Sequence, residues 1–249
     1  MREKVLLSGE PNTSKTLSLV SLAVLYPDRK VVILDPDDGV PKVFAELGVE
    51  LPNLTVIPVT PDWKQLIDSY QLIKAVLTEN DWFCMDMLGR FWDLSQQYYS
   101  ITVFGEDPID HLLKLRQQAS RVDFGGFDGL NDWTLIKRLH NEKLVDDAVV
   151  RSKFNVMCTT SVSPYLPIEK VPKTGIEGIY AGEFGIKPEG EKHNPYRFDT
   201  QAVLFRKKDN TYHFRLVRDR GRPIDLKKDF DFTGSSFWEK YCEYRGIIL

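Results

Sequence analysis

Eight consecutive residues, Gly9-Glu10-Pro11-Asn12-Thr13-Ser14-Lys15-Thr16, carry the strongest chemical signal in this 249-residue chain. They nearly match GxxxxGK followed by Ser or Thr, and they sit between a strand-like run, Lys4 to Leu7, and a helical run, Thr16 to Leu25. That setting suits phosphate chemistry. Backbone N–H groups of such a loop and of the following helix point inward and cradle phosphate oxygens. Lys15 places a cation on the outer phosphates, and the Thr16 hydroxyl can ligate Mg2+. The sequence departs from the motif at Ser14, where glycine lets the backbone approach phosphate without a Cβ.

Two carboxylate positions accompany the loop. Asp86 closes DWFCMD, a buried-strand pattern, and an acid at the end of such a strand holds Mg2+ through water in phosphate-loop NTPases. Asp also caps helices, and only its pairing with the loop favours the metal role. Asp35-Pro36-Asp37-Asp38 ends a second aliphatic run at an edge where ligands collect in open α/β sheets. A carboxylate there can orient and deprotonate an attacking water, and the same residues equally suit a plain turn.

The elements that must position these groups alternate. Strands are expected at Lys4 to Leu7, Val31 to Leu34, 54–59, Asp81 to Met85 and Asn155 to Cys158. Helices are expected at Thr16 to Leu25, 40–48, Trp63 to Leu77, 88–122 with a break near Gly105 to Pro108, and Asn131 to Val150. Continuous aliphatic strands separated by helices imply a mostly parallel sheet covered on both faces. A Gly-rich loop follows at 124–130 (FGGFDGL), and 162–198, with five Pro and five Gly, reads as one long loop. Residues 199–206 and 211–218 form a C-terminal β-hairpin around KKDN. The expectation is one α/β domain over 1–249, with a helical insert at about 88–150.

Composition excludes several classes. With 42% hydrophobic residues the chain is neither disordered nor collagen-like. No apolar run is long enough for a membrane span, and the opening MREKVLLSGE, without an apolar h-region, leads to the expectation of no secretory leader. Three Cys without CxxC spacing imply a reducing, intracellular (cytoplasmic) setting, and four scattered His form no metal cluster. The net charge is −3, yet residues 170–228 hold 14 Lys/Arg against 8 Asp/Glu, so any polyanion contact is expected in this basic C-terminal third. Trp92, Tyr98, Tyr99 and Trp133 are of a type that stacks on bases, but on helices they read first as core or interface.

GEPNTSKT, VVILDPDD, WFCMD and NVMCTTS, in that order, resemble the ATPase core of RecA-like P-loop proteins, and more narrowly its short phage-type members. The resemblance spans roughly residues 1–222 and implies ATP and Mg2+ as cofactors. It places a catalytic acid at Asp37, where the family usually has Glu, with Asp38 as neighbour, and makes Asp86 the Mg2+-associated acid. Thr159-Thr160-Ser161 fall where a polar residue senses the γ-phosphate, and 162–198 where a nucleic-acid-binding loop lies. Arg218 and Arg220, in RDRGR, fit a basic pair that reaches a neighbouring subunit's ATP, which implies a ring or filament.

The function so implied is ATP hydrolysis in phage or mobile-element DNA recombination, replication or packaging. Two alternatives remain. One is a nucleotide-gated adaptor or loader with negligible hydrolysis, toward which Ser14 and Asp37 lean. The other is a small-molecule kinase, disfavoured because no arginine cluster follows the loop helix.

Overall fold

A computed structural model describes residues 2–48, 50–118, 131–166 and 169–248. Six parallel strands form the centre of the molecule: β1 (Lys4–Gly9), β2 (Val31–Asp35), β3 (Leu54–Pro58), β4 (Trp82–Met85), β5 (Asn155–Thr160) and β8 (Thr200–Arg206). A two-stranded antiparallel pair, β6 (Val162–Pro164) with β7 (Ile186–Pro188), stands apart from them. The main sheet is extended antiparallel by β9 (Tyr212–Asp219) and β10 (Phe230–Asp231), giving the order β10-β9-β8-β1-β5-β4-β2-β3.

Helices cover both faces, as expected for strands that are apolar on each side. On one face lie α1 (Lys15–Leu25), α2 (Val40–Leu47) and α8 (Phe237–Arg245). On the other lie α3 (Trp63–Val76), α4 (Leu88–Phe104) and the helix that starts as α6 (Asn131–His140) and runs on with wider π-type winding through Asn141–Arg151. α5 (Pro108–Gln118) follows α4 after the break at Gly105, whose φ of 76° is left-handed. α3 begins where Asp62 accepts hydrogen bonds from the N–H groups of Lys64 and Gln65.

The structure departs from the sequence reading in three places. Residues 162–198 are not one loop: besides β6 and β7 they form α7 (Gly175–Ile179), continued through Tyr180–Phe184, and a 3-10 turn at Asn194–Arg197. The strands and the 3-10 turn are only three or four residues long, too short for a periodicity to stand out, and the helical stretch 175–184 carries glycines at 175, 178 and 182, which weaken its helical signal. The sequence reading also gave no elements after 218. Yet β10 and α8 close the core there, burying Phe232, Phe237, Trp238, Tyr241 and Cys242. Trp238 Nε1 donates to Tyr26 Oη at 2.9 Å, satisfying the one polar atom of a fully buried indole. Several strands also run a residue or two further than expected, β1 to Gly9 and β5 to Thr160. The Gly-rich loop at 124–130 and the end of the helical stretch at 119–122 lie outside the described residues.

Cys84, Cys158 and Cys242 are buried free thiols. Among the described residues no helix is long and apolar enough to cross a membrane.

Candidate functional site

Because β1, β2, β4 and β5 run parallel, their C-terminal ends share one edge of the sheet, and the Gly9–Thr16 loop, Asp37 and Asp86 lie along it. β1 ends in Gly9, where a Cβ would collide with the carbonyl of Leu204 and come 2.7 Å from Thr13 Oγ1. Only glycine fits. The loop then turns through left-handed residues at Asn12 (φ 60°) and Ser14 (φ 64°). Ser14 therefore occupies a backbone conformation that glycine adopts freely and serine adopts at a cost of roughly 1 kcal/mol. It is also the N-cap of α1 and makes no side-chain cap, so the first-turn N–H groups keep their capacity to bind an anion.

Lys15 is nearly buried, and its ammonium donates to the carbonyls of Gly9 (2.8 Å) and Glu10 (2.6 Å). Burial lowers its pKa to about 8, against the opposing pull of Asp86, Glu10 and Glu189. Thr13 Oγ1 donates to the Glu10 carbonyl at 2.8 Å and braces the same turn.

Thr16 and Asp86 meet across this edge. Thr16 Oγ1 donates to Asp86 Oδ2 at 2.7 Å, and Thr159, from the intervening strand β5, donates to the other carboxylate oxygen. Burial raises the Asp86 pKa, while the two hydroxyl donors favour its charged form. A hydroxyl and a carboxylate are hard oxygen donors of the kind Mg2+ takes, and Mg2+ bound with nucleotide phosphates needs no more protein ligands than these. Among the described residues no cluster of three His, Cys, Asp or Glu forms a separate metal site.

In the acidic turn after β2 the residues divide. Asp35 points inward and accepts from the N–H groups of Val40 (2.8 Å) and Asp37 (3.3 Å), which fixes the turn. Asp37 pairs with Arg90 Nε at 2.9 Å and lines a cavity of about 840 Å3 together with residues 11–17, Asp86, Met87, Ser161 and Tyr212. Asp38, at φ 52°, is not part of that lining.

Arg218 and Arg220 lie elsewhere. β9 runs antiparallel to β8, so its C-terminal end falls beside the start of β8, which is level with the start of β1, at the edge opposite the loop. Arg220 pairs with Asp199 at 3.2 Å, and Arg218 donates to the Tyr196 carbonyl at 3.2 Å. Within one copy of the chain these two arginines are therefore not brought to the loop. Much of the basic C-terminal third is also neutralised internally: Lys187 pairs with Glu169, Arg197 with Asp146, and both Lys207 and Arg215 with Asp229. Trp92 stacks on Trp133 with ring centroids 6.2 Å apart, and Tyr99 is buried and donates to Asp132.

Three residues at this edge carried no sequence signal. Arg90 neutralises Asp37. Tyr212, at the start of β9, reaches the cavity because the β8–β9 turn lies on the loop's side of the sheet. Glu189 is held beside the end of β5, its N–H on the Ser161 carbonyl (2.9 Å) and its carbonyl on Thr160 Oγ1 (2.9 Å). Its carboxylate acts on Lys15 and Asp93. No motif marks any of them; each is found only through the pairing of strands distant in sequence.

No protein-family model matches the sequence, and no curated protein matches it significantly. Among solved structures, the chain is similar to the crystal structure of the RadB recombinase, at 17% identity and a TM-score of 0.47, over 92% of this chain and 87% of that one.

Proposed function

We propose that the protein is a Mg2+-dependent P-loop ATPase with a RecA-like core, acting as a homo-oligomer on DNA in phage or mobile-element recombination, replication or packaging. The observation that carries the nucleotide reading is the hydrogen bond between Thr16 and Asp86 on the wall of the cavity that Gly9–Thr16 opens into. The DNA reading and the oligomer rest on the order of the sequence motifs.

In this reading the backbone of Gly9–Thr16 holds the phosphates, and Lys15 exchanges its two loop carbonyls for phosphate oxygens. Thr16 and Asp86 would hold Mg2+, which supplies neutralisation of charge on the phosphates. Thr159 keeps the Asp86 carboxylate in one orientation. Asp37 accepts the proton of the attacking water once Arg90 releases it. Arg218 and Arg220 serve a neighbouring copy, consistent with their place on the far edge of the sheet.

The test is Mg2+-dependent ATP hydrolysis, with and without single-stranded DNA, in wild type and Lys15→Ala. Turnover stimulated by DNA and abolished by the substitution supports the reading; DNA-independent phosphate transfer to a metabolite would replace it with a kinase. A second reading, a nucleotide-gated adaptor with negligible turnover, is favoured by one specific pair of observations: serine in the left-handed position of the loop, and Asp37 engaged by Arg90. ATP binding without phosphate release from folded protein selects it.

A further inference from the structure

Arg90 stands where three carboxylates come together. Its Nε donates to Asp37 at 2.9 Å, and its side chain is 57% exposed, so this ion pair is weak and exchangeable. Asp93 lies three residues further along α4, a spacing that makes the two side chains neighbours on one face of the helix. Arg90 and Asp93 both line two cavities, one of about 650 Å3 that Asp37 also lines and one of about 380 Å3 that Glu189 also lines. The smaller one shares Met87 and Ser161 with the cavity beside Gly9–Thr16.

Two glycines bring Glu189 to this place. The turn at 189–190 packs on the first turn of α4 so closely that a Cβ on Gly190 would come 3.2 Å from Gly89 Cα. Gly190 also has a φ of 100°, a conformation L side chains rarely adopt. Among the described residues neither Asp93 nor Glu189 makes a hydrogen bond or ion pair through its carboxylate. Burial raises the Asp93 pKa; Arg90 opposes the rise, and the charges of Glu189 and Asp37 add to it.

Charge balance ties these groups to hydrolysis. Asp37 attracts Arg90 only while it is ionised. Once it accepts the proton of the attacking water it is neutral, whereas the guanidinium stays charged and needs another anion. We infer that Arg90 has two positions, resting on Asp37 before the reaction and moving to Asp93 and Glu189 when Asp37 takes the proton, which makes those two carboxylates positioning residues for the reaction. The inference rests on the proposed function and deepens it, because it names what receives Arg90 when Asp37 is released.

A double-mutant cycle gives the experiment. Steady-state kcat and ATP affinity are measured for the paired substitution Asp93→Asn with Glu189→Gln, once with Arg90 in place and once with Arg90→Ala. Asn and Gln keep the shape of each side chain, and a thermal melt of every variant checks the fold. With Arg90 in place, the pair is expected to lower kcat about fivefold, the scale of one exposed ion pair, and to leave ATP affinity unchanged. With Arg90→Ala, the same pair is expected to change kcat by less than about twofold, since no guanidinium is left to receive. An equal loss in both backgrounds overturns the inference, because the carboxylates then act without Arg90. No loss in either background overturns it too, as does a fall in ATP affinity that matches the fall in kcat. Arg90→Ala without measurable turnover also overturns it, for Asp37 would then need the arginine and not its release. The ATPase reading fails separately: if wild type and every variant bind ATP without hydrolysing it, that reading is overturned and the second position of Arg90 falls with it.

Discussion

Thr16 and Asp86, 70 residues apart in the chain, are joined by a 2.7 Å hydrogen bond at the C-terminal edge of the sheet. The strands that lead to them, β1 and β4, are not neighbours: β5 runs between the two and sends Thr159 to the other Asp86 oxygen. Three elements thus converge on one carboxylate. Asp86→Asn keeps the shape and removes the charge, and it is expected to cut Mg2+-dependent turnover by at least about a hundredfold. Steady-state hydrolysis across a Mg2+ titration checks this, with a thermal melt to confirm folding.

Asp37 and Asp38 are adjacent in sequence but differ in placement. Asp37→Asn is expected to lower turnover by about a hundredfold or more while ATP affinity holds, because Asp37 faces the cavity. Asp38→Asn should leave turnover close to wild type, since Asn tolerates the left-handed φ of 52° at that position. Parallel binding and turnover assays separate the two; equal losses would remove Asp37 from its role.

Ser14→Gly relieves the left-handed strain at φ 64°. The gain is about 1 kcal/mol, less roughly 0.5 kcal/mol for glycine's freer unfolded chain. The net expectation is a small stabilisation together with tighter ATP binding, measured by urea denaturation and calorimetry on the same preparations. A loss of both would mean that the serine side chain contributes something the glycine cannot.

Lys15 sets a pH dependence. With its pKa lowered to about 8 by burial, the ligand-free protein loses this proton before the unfolded chain does at 10.5. Stability from this group therefore rises with pH between those values, since the unfolded state binds more protons there. Nucleotide binding runs the other way. On the proposed function, phosphates favour the charged lysine, so ATP affinity is expected to be flat below pH 8 and to weaken above it, by up to about tenfold per pH unit. Calorimetry at pH 7 and pH 9 tests this, and Lys15→Ala should bind weakly with the slope gone.

His140 is fully buried against Trp92 and shares a 3.3 Å contact with Asn194 Nδ2. Burial, with Arg197 nearby, depresses its pKa to about 3. The unfolded chain takes up a proton near pH 6.5 that the folded one refuses, so stability falls as pH drops through the window between them. About 2 kcal/mol is expected to disappear between pH 7 and pH 5, read from urea midpoints. His140→Phe should flatten that part of the profile.

The strands and the strand–loop–helix setting of Gly9–Thr16 were legible because their signals are local. VVILD and WFCM are continuous apolar runs, and GEPNTSKT is a contiguous motif between a strand and a helix. What was not legible depends on pairing at a distance. Tyr212 belongs to the loop's edge only because β8 pairs with β1 and β9 with β8. α8 was missed because its buried face is aromatic and charged residues are interleaved with it, so its mean hydropathy is low, although Ser236 and Glu239 form a start signal that could have been read. The short elements within 162–198 gain their stability from docking, with Tyr180 buried against Val203 and Val217, which no window of local sequence reports.

The bond between Trp238 and Tyr26 spans 212 residues, and β1 pairs with β8 at Val5–Thr200 through Gly9–Leu204. During synthesis, the helix that carries Lys15 and Thr16 cannot be fully seated when it leaves the ribosome. Its last packing partner, α8, and the strand β8 that flanks β1 emerge at ten to twenty residues per second at best, which puts them on the order of ten seconds or more behind. Until then the part of α1 that α8 covers stays open to solvent or to a chaperone, and the Gly9–Thr16 loop gains the support of Leu204 only late in the chain's folding.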